Sequence, residues 1–572
     1  MSKKSKKQER SNSAKKYKVQ KLLELAMEFH SRQNIKLAEN AYRKVIDLDP
    51  LNYRALYLLG ILAAEVNSFK AAIGFLKLAI EVNPNYSLAY NDLGVVLQQI
   101  GNPKAAMKCY TKALELNRSF SEAQNNMGVA LQSRGNAKKA QEYFKTAMSI
   151  NPFYFDASNN YIFALDLSED ETVESLIQAR KDWSKIHEEP LLSKQKPHNN
   201  ELTTDRKLRI GYVSADFRLH SASFVFGGML TEYNRDKFEV YAYNNYTTNS
   251  NPDDRTLIFK QSVTQWRDIF SLKDEEVTDL IRKDKIDILV DLSGYSSGTR
   301  LLVFARKPAP VQVTAWGYAT STGMKSIDYF FADEIIVPPE EKDLYVENIA
   351  YLPNVVTHYC PESKPDVAEL PAIKKGYITF GSFNRLCKIT DETFDLWGRV
   401  LTAVPNSKMM LKISELGDVT TQEWAIENFA KVGIDKDRLI FMGRTPWYAH
   451  MATFNNIDIA LDPFPHGGGI TTLEGLQMGV PVVSLKWPSI VGRLSSTILN
   501  ALTMNDWVAT SKEEYVNIAV EKTRDLDSLN SLRLNLRSKM KSSIIGDYSA
   551  YCREVESKYV EMWETYVATK TS

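Results

Sequence analysis

Four segments of this chain share a 34-residue period, and that period constrains its first quarter more than any other feature. Pro50, Pro84 and Pro152 keep the spacing, with Arg118 in the remaining slot. Stepping by the same interval links Leu25, Leu59, Leu93 and Met127, and it links Ala26, Gly60, Gly94 and Gly128. It also links Ala38, Ala72, Ala106 and Ala140, and finally Tyr42, Leu76, Tyr110 and Phe144. Small residues at one register let two antiparallel helices approach closely, large ones at another fill the gap, and proline ends the second helix. Such a unit leaves one apolar face open and buries it on the next copy.

The pattern resembles the tetratricopeptide repeat (TPR), in four copies over residues 19–154. Stacks of this kind curve into a groove suited to extended peptide, so a protein or peptide acceptor is the expected partner. The alternative is a spacer or dimerisation arm, which would make a homo-oligomer. In front stands a lysine-rich segment, residues 1–18, expected to be a solvated, disordered basic tail. Behind the repeats, residues 155–200 are expected to hold capping helices and a linker: residues 153–190 keep helical periodicity without the repeat signature, and the polar stretch SKQKPHNNELTTD follows.

The grammar then changes. Short β-branched runs (LRIGYVSADF, IDILVDLS, YITFGSF, IDIALD, PVVSL) alternate with helical ones, which argues for parallel sheets covered by helices. There is room for two such domains, residues 206–365 and 376–545, followed by a C-terminal helix over 546–572. The expected fold is therefore multidomain: an all-α TPR superhelix and then an α/β region of two Rossmann-like domains. Ligands of open α/β sheets bind beyond the carboxyl ends of the strands, which places the site between them.

Bulk properties narrow the function by exclusion. A formal charge of +1 supplies no global field for nucleic acid, which has only the basic tail in its favour. Cys109, Cys360, Cys387 and Cys552 form no C-x-x-C pair, against a zinc site or a disulfide framework. The N-terminus lacks the apolar core of a secretory signal and no apolar run reaches membrane-spanning length, so the expectation is a cytoplasmic protein without a membrane span.

The sharpest local signal is LDPFPHGGGITTLEGLQMGVPVVSL: a strand ending at Asp462, a glycine loop at Gly467, Gly468 and Gly469, and a helix starting near Thr471. Glycines admit close backbone approach, and a helix start offers free N–H groups and positive dipole to an anion. A phosphate site follows, with Thr471 and Thr472 adding hydroxyl donors and Glu474 able to accept from ribose hydroxyls. Upstream, in FGSFNRLCKIT, Lys388 precedes a helix that Thr390 or Asp391 could cap, where a cation would offset charge developing on a departing diphosphate. Asp216, Asp291 and Asp462 end or follow strands, where turn or N-cap roles are the ordinary ones.

Together, FGSFNRLCKIT and LDPFPHGGGITTLEGLQMGVPVV resemble the catalytic region of the O-linked N-acetylglucosaminyltransferase family. RIGYVSADFRLHSAS, SGYSSGTRLLVFARKPAPVQVTAWGY and IDYFFADEIIVPPE extend the resemblance, which runs from about residue 206 to 545. It implies a GT-B fold and an inverting transfer of N-acetylglucosamine from UDP-GlcNAc to Ser or Thr of proteins, with no metal and no other cofactor. By the same resemblance Lys388 stabilises the leaving diphosphate, Thr471 and Thr472 hold its phosphates, and His450 and Glu474 contact the nucleoside. His220 matches the family's active-site histidine, bordering the reacting sugar. The D-x-D pairs Asp47 with Asp49 and Asp525 with Asp527 fall in predicted helices, not after sheet strands.

Departures from the family pattern keep two alternatives open: another nucleotide sugar such as GDP-fucose, or a catalytically silent scaffold. GYATSTG at 317–323 replaces G-Y-P-G-T-[ST]-G, Trp447 stands where animal members have Lys beside the base, Ile470 replaces His or Thr, and Tyr295 replaces a bacterial His. Lys388, the glycine loop, Thr471, Thr472 and Glu474 argue against the silent scaffold.

Overall fold

The computed structural model of the chain describes residues 3–247, 252–318, 320–358 and 363–571, so Cys360 and Ala319 lie outside the described residues. The chain divides into two compact units, one of residues 1–134 and 139–157, the other of residues 135–138 and 158–572.

The first unit holds the helical repeats. Their helices are Lys3–Ser31 with Ile35–Leu48, Tyr53–Glu65 with Phe69–Val82, Ser87–Gln99 with Pro103–Leu116, and Ser121–Gln132 with Ala137–Ile150. The size alternation works as the sequence predicts, because each large residue lies on the small residue of its own repeat. A Cβ on Gly94 would stand 2.4 Å from the Tyr110 ring, one on Gly128 2.5 Å from Phe144, and one on Gly60 2.7 Å from Leu76. The second helices all end two residues before the proline slot, including Pro103–Leu116, whose slot holds Arg118. Asp49, Asn83 and Asn117 share a non-helical C-cap there, with φ between −144° and −134°, so the helix stops at the same place with or without the proline.

One expectation needs correction. The opening helix starts at Lys3, so the basic segment assigned to a disordered tail is the start of that helix. No Gly or Pro interrupts it, and Lys, Arg, Gln and Glu are good helix formers. No helix among the described residues is long and apolar enough to cross a membrane.

The second unit contains two parallel sheets. The first runs in the order β3-β2-β1-β4-β5-β6-β7, with β1 Leu208–Ser214, β2 Phe238–Asn244, β3 Gln265–Asp268, β4 Ile288–Asp291, β5 Val311–Thr314, β6 Tyr329–Ala332 and β7 Asn348–Tyr351. The second runs β10-β9-β8-β11-β12-β13, with β8 Thr379–Ser382, β9 Lys408–Lys412, β10 Leu439–Met442, β11 Ile459–Leu461, β12 Val482–Leu485 and β13 Val508–Ala509. Each sheet reverses its winding once, between β1 and β4 and between β8 and β11. These are the switch points at which open α/β sheets bind ligands.

Residues from Ser158 onward pack with the α/β unit. Arg180, in the helix Val173–His187, forms a buried ion pair with Asp166 at 2.6 Å and donates to the Ser321 carbonyl at 3.0 Å. Glu188, fully buried, accepts from the Lys325 and Ser326 N–H groups at 3.0 and 2.7 Å. The polar linker is likewise pinned: Gln195 donates to the Ala305 carbonyl and Asn200 to Asp287. The C-terminal helix Tyr548–Thr571 crosses back to the first sheet, where the Trp316 indole donates to Tyr551 at 2.8 Å and the hydroxyls of Tyr212 and Tyr559 meet at 3.2 Å.

Candidate active site

Both sequence-predicted loops leave the strands that flank the second sheet's switch point, Lys388 after β8 and the glycine turn after β11. Lys388 ends the short turn Leu386–Lys388, and Thr390 caps the following helix Asp391–Ala403 by accepting from the Thr393 N–H. The Lys388 Nζ donates to the Gly467 carbonyl at 2.7 Å. Burial pushes this amine down to about 8, against the pull of Asp462, although its side chain keeps some access to solvent.

Asp462 organises the turn. It accepts from the Gly468 N–H at 2.8 Å, from Ser484 at 3.0 Å and from Ser495 at 2.6 Å. Burial raises its carboxyl pKa, and these donors together with Lys388 hold it back. The three glycines differ in consequence. A Cβ on Gly468 would lie 2.3 Å from Thr472 Oγ1 and 2.7 Å from Asp462 Oδ1, and one on Gly467 would lie 3.0 Å from Asp462 Oδ2. A Cβ on Gly469 would meet nothing within 4 Å. Gly469 also stands at the N-cap of the helix Ile470–Gln477, which no side chain caps.

The two threonines separate. Thr471 donates to Asn384 at 2.9 Å, whereas Thr472 is buried with its hydroxyl against Ser495 at 3.0 Å. Thr472 thus shapes the turn with its side chain. Ser382, Phe383, Asn384, Asp462, Thr471 and Thr472 line a small pocket at this point.

His450 and Glu474 do come together, with Nε2 3.2 Å from Oε2. The Lys412 Nζ, at the end of β9, lies 2.8 Å from His450 Nδ1. An ammonium can only donate, so Nδ1 accepts and the ring proton sits on Nε2, facing Glu474. The rings of Phe383 and Phe454 flank the imidazole, each 5.7 Å away. Burial lowers the Lys412 amine, and the Glu474 charge counteracts it.

On the first sheet, His220 follows β1 with Nδ1 3.3 Å from Asp216 Oδ1 and 3.3 Å from the Ala222 N–H. Burial lowers its pKa, Asp216 opposes this, and Arg218 and Arg385 add to it. The Arg385 charge lowers the pKa of His220, Lys388 and His466 alike. Trp447 stacks on Phe224, with ring centroids 6.2 Å apart and an angle of 15°. The divergent segment 317–323 is held internally: Tyr318 donates to Asp166, Tyr295 donates to the Thr322 carbonyl, and Glu347 accepts from the Thr322 and Gly323 N–H groups.

Sequence reasoning passed over Arg385, Lys412 and His466. Arg385 and His466 stand within the two quoted motifs and were readable as charged or titratable groups at strand ends. Lys412 looks like an ordinary strand terminus. A third D-x-D pair, Asp435 with Asp437, also escaped notice and lies exposed before β10. Asp291 and Asp462 serve as turn residues, Asp291 accepting from the Ser293 and Gly294 N–H groups.

The chain is similar to known proteins over most of its length. The model for glycosyl transferase family 41 matches residues 178–360 and 369–555, and tetratricopeptide-repeat models match 23–87, 87–120 and 121–154. The structure of a Lys-to-Met mutant of the Thermobaculum terrenum O-GlcNAc transferase superposes with TM-score 0.84 at 31% identity, over 91% of this chain and 98% of that one. The probable UDP-N-acetylglucosamine–peptide N-acetylglucosaminyltransferase SPINDLY of Oryza sativa subsp. japonica is 34% identical over 412 residues, 71% of this chain and 44% of that protein. The probable enzyme of the same activity named SEC, from Arabidopsis thaliana, is 29% identical over 373 residues, 63% of this chain and 38% of that protein. The chain spans less than half the length of these two relatives.

Proposed function

Since this chain belongs to glycosyl transferase family 41, we propose that it is an inverting protein O-glycosyltransferase carrying N-acetylglucosamine from UDP to Ser or Thr hydroxyls. The observation that carries the reading is the Lys388 Nζ, 2.7 Å from the Gly467 carbonyl, beside an uncapped helix start. A partly desolvated cation and a set of free N–H groups are what a departing diphosphate requires, because they act on charge that grows toward the transition state.

The remaining residues divide the work. Gly469 and the first turn of Ile470–Gln477 receive phosphate, with the Thr471 hydroxyl beside them. The pair of His450 and Glu474, oriented by Lys412, contacts the nucleoside. His220 borders the transferred sugar and is held by the Ala222 N–H, which donates to Nδ1. The repeats recruit the protein acceptor, and the reaction runs in the cytoplasm with Lys388 offsetting the diphosphate charge without a metal.

A second reading, transfer from another nucleotide sugar such as GDP-fucose, is favoured by Trp447, whose stacking on Phe224 gives the base side of the site an aromatic wall. Calorimetry with a panel of nucleotide sugars, followed by transfer to peptide with and without chelator, tests both. Tight binding and transfer with UDP-GlcNAc alone supports the first reading, and GDP-sugar preference the second. Loss of activity on chelation, restored by Mg²⁺ or Mn²⁺, overturns the metal-free mechanism.

A further inference from the structure

We propose that His466 is a further donor-binding residue, its imidazole donating a hydrogen bond to the diphosphate of the nucleotide sugar. The proposal rests on the reading of the glycine turn as a diphosphate site and extends it to a side chain.

His466 immediately precedes Gly467, whose carbonyl accepts from Lys388. Its side chain is almost fully enclosed, with 6% exposure, yet Nδ1 has no hydrogen-bond partner among the described residues. Buried polar atoms in folded proteins are nearly always paired, so an unpaired one beside a ligand site points to a partner that the ligand supplies. One side of the ring faces Phe163, with centroids 6.2 Å apart, which cannot satisfy a nitrogen. Burial, Lys388 and Arg385 all drive the ring toward its neutral form. A neutral imidazole still carries one N–H, and a neutral histidine can polarise an oxyanion without adding a charge that would have to be desolvated. Arg385, over the Phe163 ring at 5.9 Å, and Lys388 then supply the charge, and His466 the directed hydrogen bond.

The test is calorimetry on the full chain, comparing UDP with UMP and GDP with GMP. His466→Ala and His466→Phe are expected to lower nucleoside diphosphate affinity by about ten- to a hundredfold, the range of a hydrogen bond to a charged group, and to leave monophosphate affinity unchanged. His466→Gln, which keeps an N–H donor, is expected to recover part of the loss. His466→Phe fills the enclosure beside Phe163 and so remains informative if His466→Ala lowers the melting temperature. Equal losses for mono- and diphosphate would assign His466 to packing, and unchanged diphosphate affinity in His466→Phe would remove it from the site; either result overturns the proposal. If the wild-type chain binds neither UDP nor GDP, the diphosphate reading of the turn falls, and this proposal with it.

Discussion

Lys388 and Gly467 are joined across two loops by a 2.7 Å hydrogen bond from ammonium to carbonyl. A neutral carbonyl is a weaker partner than a phosphate oxygen, so the cation is positioned and can be taken over by a diphosphate. Lys388→Met is expected to cost about 3–4 kcal/mol of transition-state stabilisation, seen as loss of nearly all turnover. Removing a desolvated charge should leave the melting temperature unchanged or raise it. Turnover close to wild type in the variant would refute the assignment.

The same lysine sets a pH dependence. Burial brings it from 10.5 down to about 8, and the reaction needs it protonated, so kcat/KM is expected to fall as pH rises through about 8. Stability moves the other way over that interval. The unfolded chain keeps the proton up to its higher pKa while the folded chain releases it, so this group's contribution to stability rises with pH between the two values. An alkaline loss of rate without loss of the thermal transition is the expected signature. A profile that stays flat through that range, or a rate loss that tracks unfolding, would contradict it.

Gly468 and Gly469 should fail differently on substitution. A Cβ at Gly468 collides with Thr472 and Asp462, whereas one at Gly469 meets no protein atom within 4 Å, so on the proposed reading it would obstruct only the approach of phosphate. Gly469→Val is expected to weaken nucleoside diphosphate binding with the melting temperature retained, and Gly468→Val to lower both. Calorimetry paired with thermal unfolding separates them. Unchanged UDP and GDP affinities in Gly469→Val would move the phosphate site elsewhere.

Lys412 orients His450 through Nδ1, and that bond fixes the proton on the nitrogen facing Glu474. Lys412→Met frees the tautomer, and the expected result is a donor KM raised by roughly tenfold with kcat little changed, because nucleoside contacts are made equally in ground and transition states. Steady-state kinetics at varied donor decide it. A fall in kcat at constant KM would place Lys412 in the chemical step instead.

The parts of this molecule that were legible in the sequence are those whose partners repeat or lie at the ends of recognisable strands. Gly94 against Tyr110 is a local size alternation, and Lys388 and Gly467 each follow an evident strand, so motif and position sufficed. The role of Arg180 was invisible because the loop it holds is far away in the chain: it reaches Ser321 across 141 positions, and Tyr318 reaches Asp166 across 152. Nothing in a helical stretch announces that its arginine will hold a distant loop. Thr472 shows another limit, since its place on the turn is legible in the sequence and the packing that sets its hydroxyl against Ser495 is not.

That long-range contact decides where the chain can be cut to separate recruitment from chemistry. A truncation starting near His187 removes Asp166, Arg180 and Trp183, and with them the partners of Tyr318, Ser321 and Tyr295. Gly323 adds to the loss, since it sits at φ +67 with the Arg180 backbone within 2.8 Å of where its Cβ would be. Both members of the ion pair go together, but the Ser321 carbonyl and the Tyr318 hydroxyl lose their buried partners, at about 1–3 kcal/mol for each polar group left unsatisfied, so that truncation is expected to melt early and to bind donor poorly. A protein beginning just before Ser158 keeps these contacts and loses the repeats. It is expected to keep its thermal transition and nucleotide binding, to lose most transfer to a folded protein acceptor, and to retain much more of its transfer to a short peptide. The reason is that recruitment raises the local concentration of the acceptor hydroxyl without touching the transition state. Rates on both acceptors, measured after the thermal transition of each truncation is recorded, check it. If the protein that begins before Ser158 folds and modifies the protein acceptor as fast as the full chain, the repeats are a spacer or assembly arm and recruitment lies elsewhere.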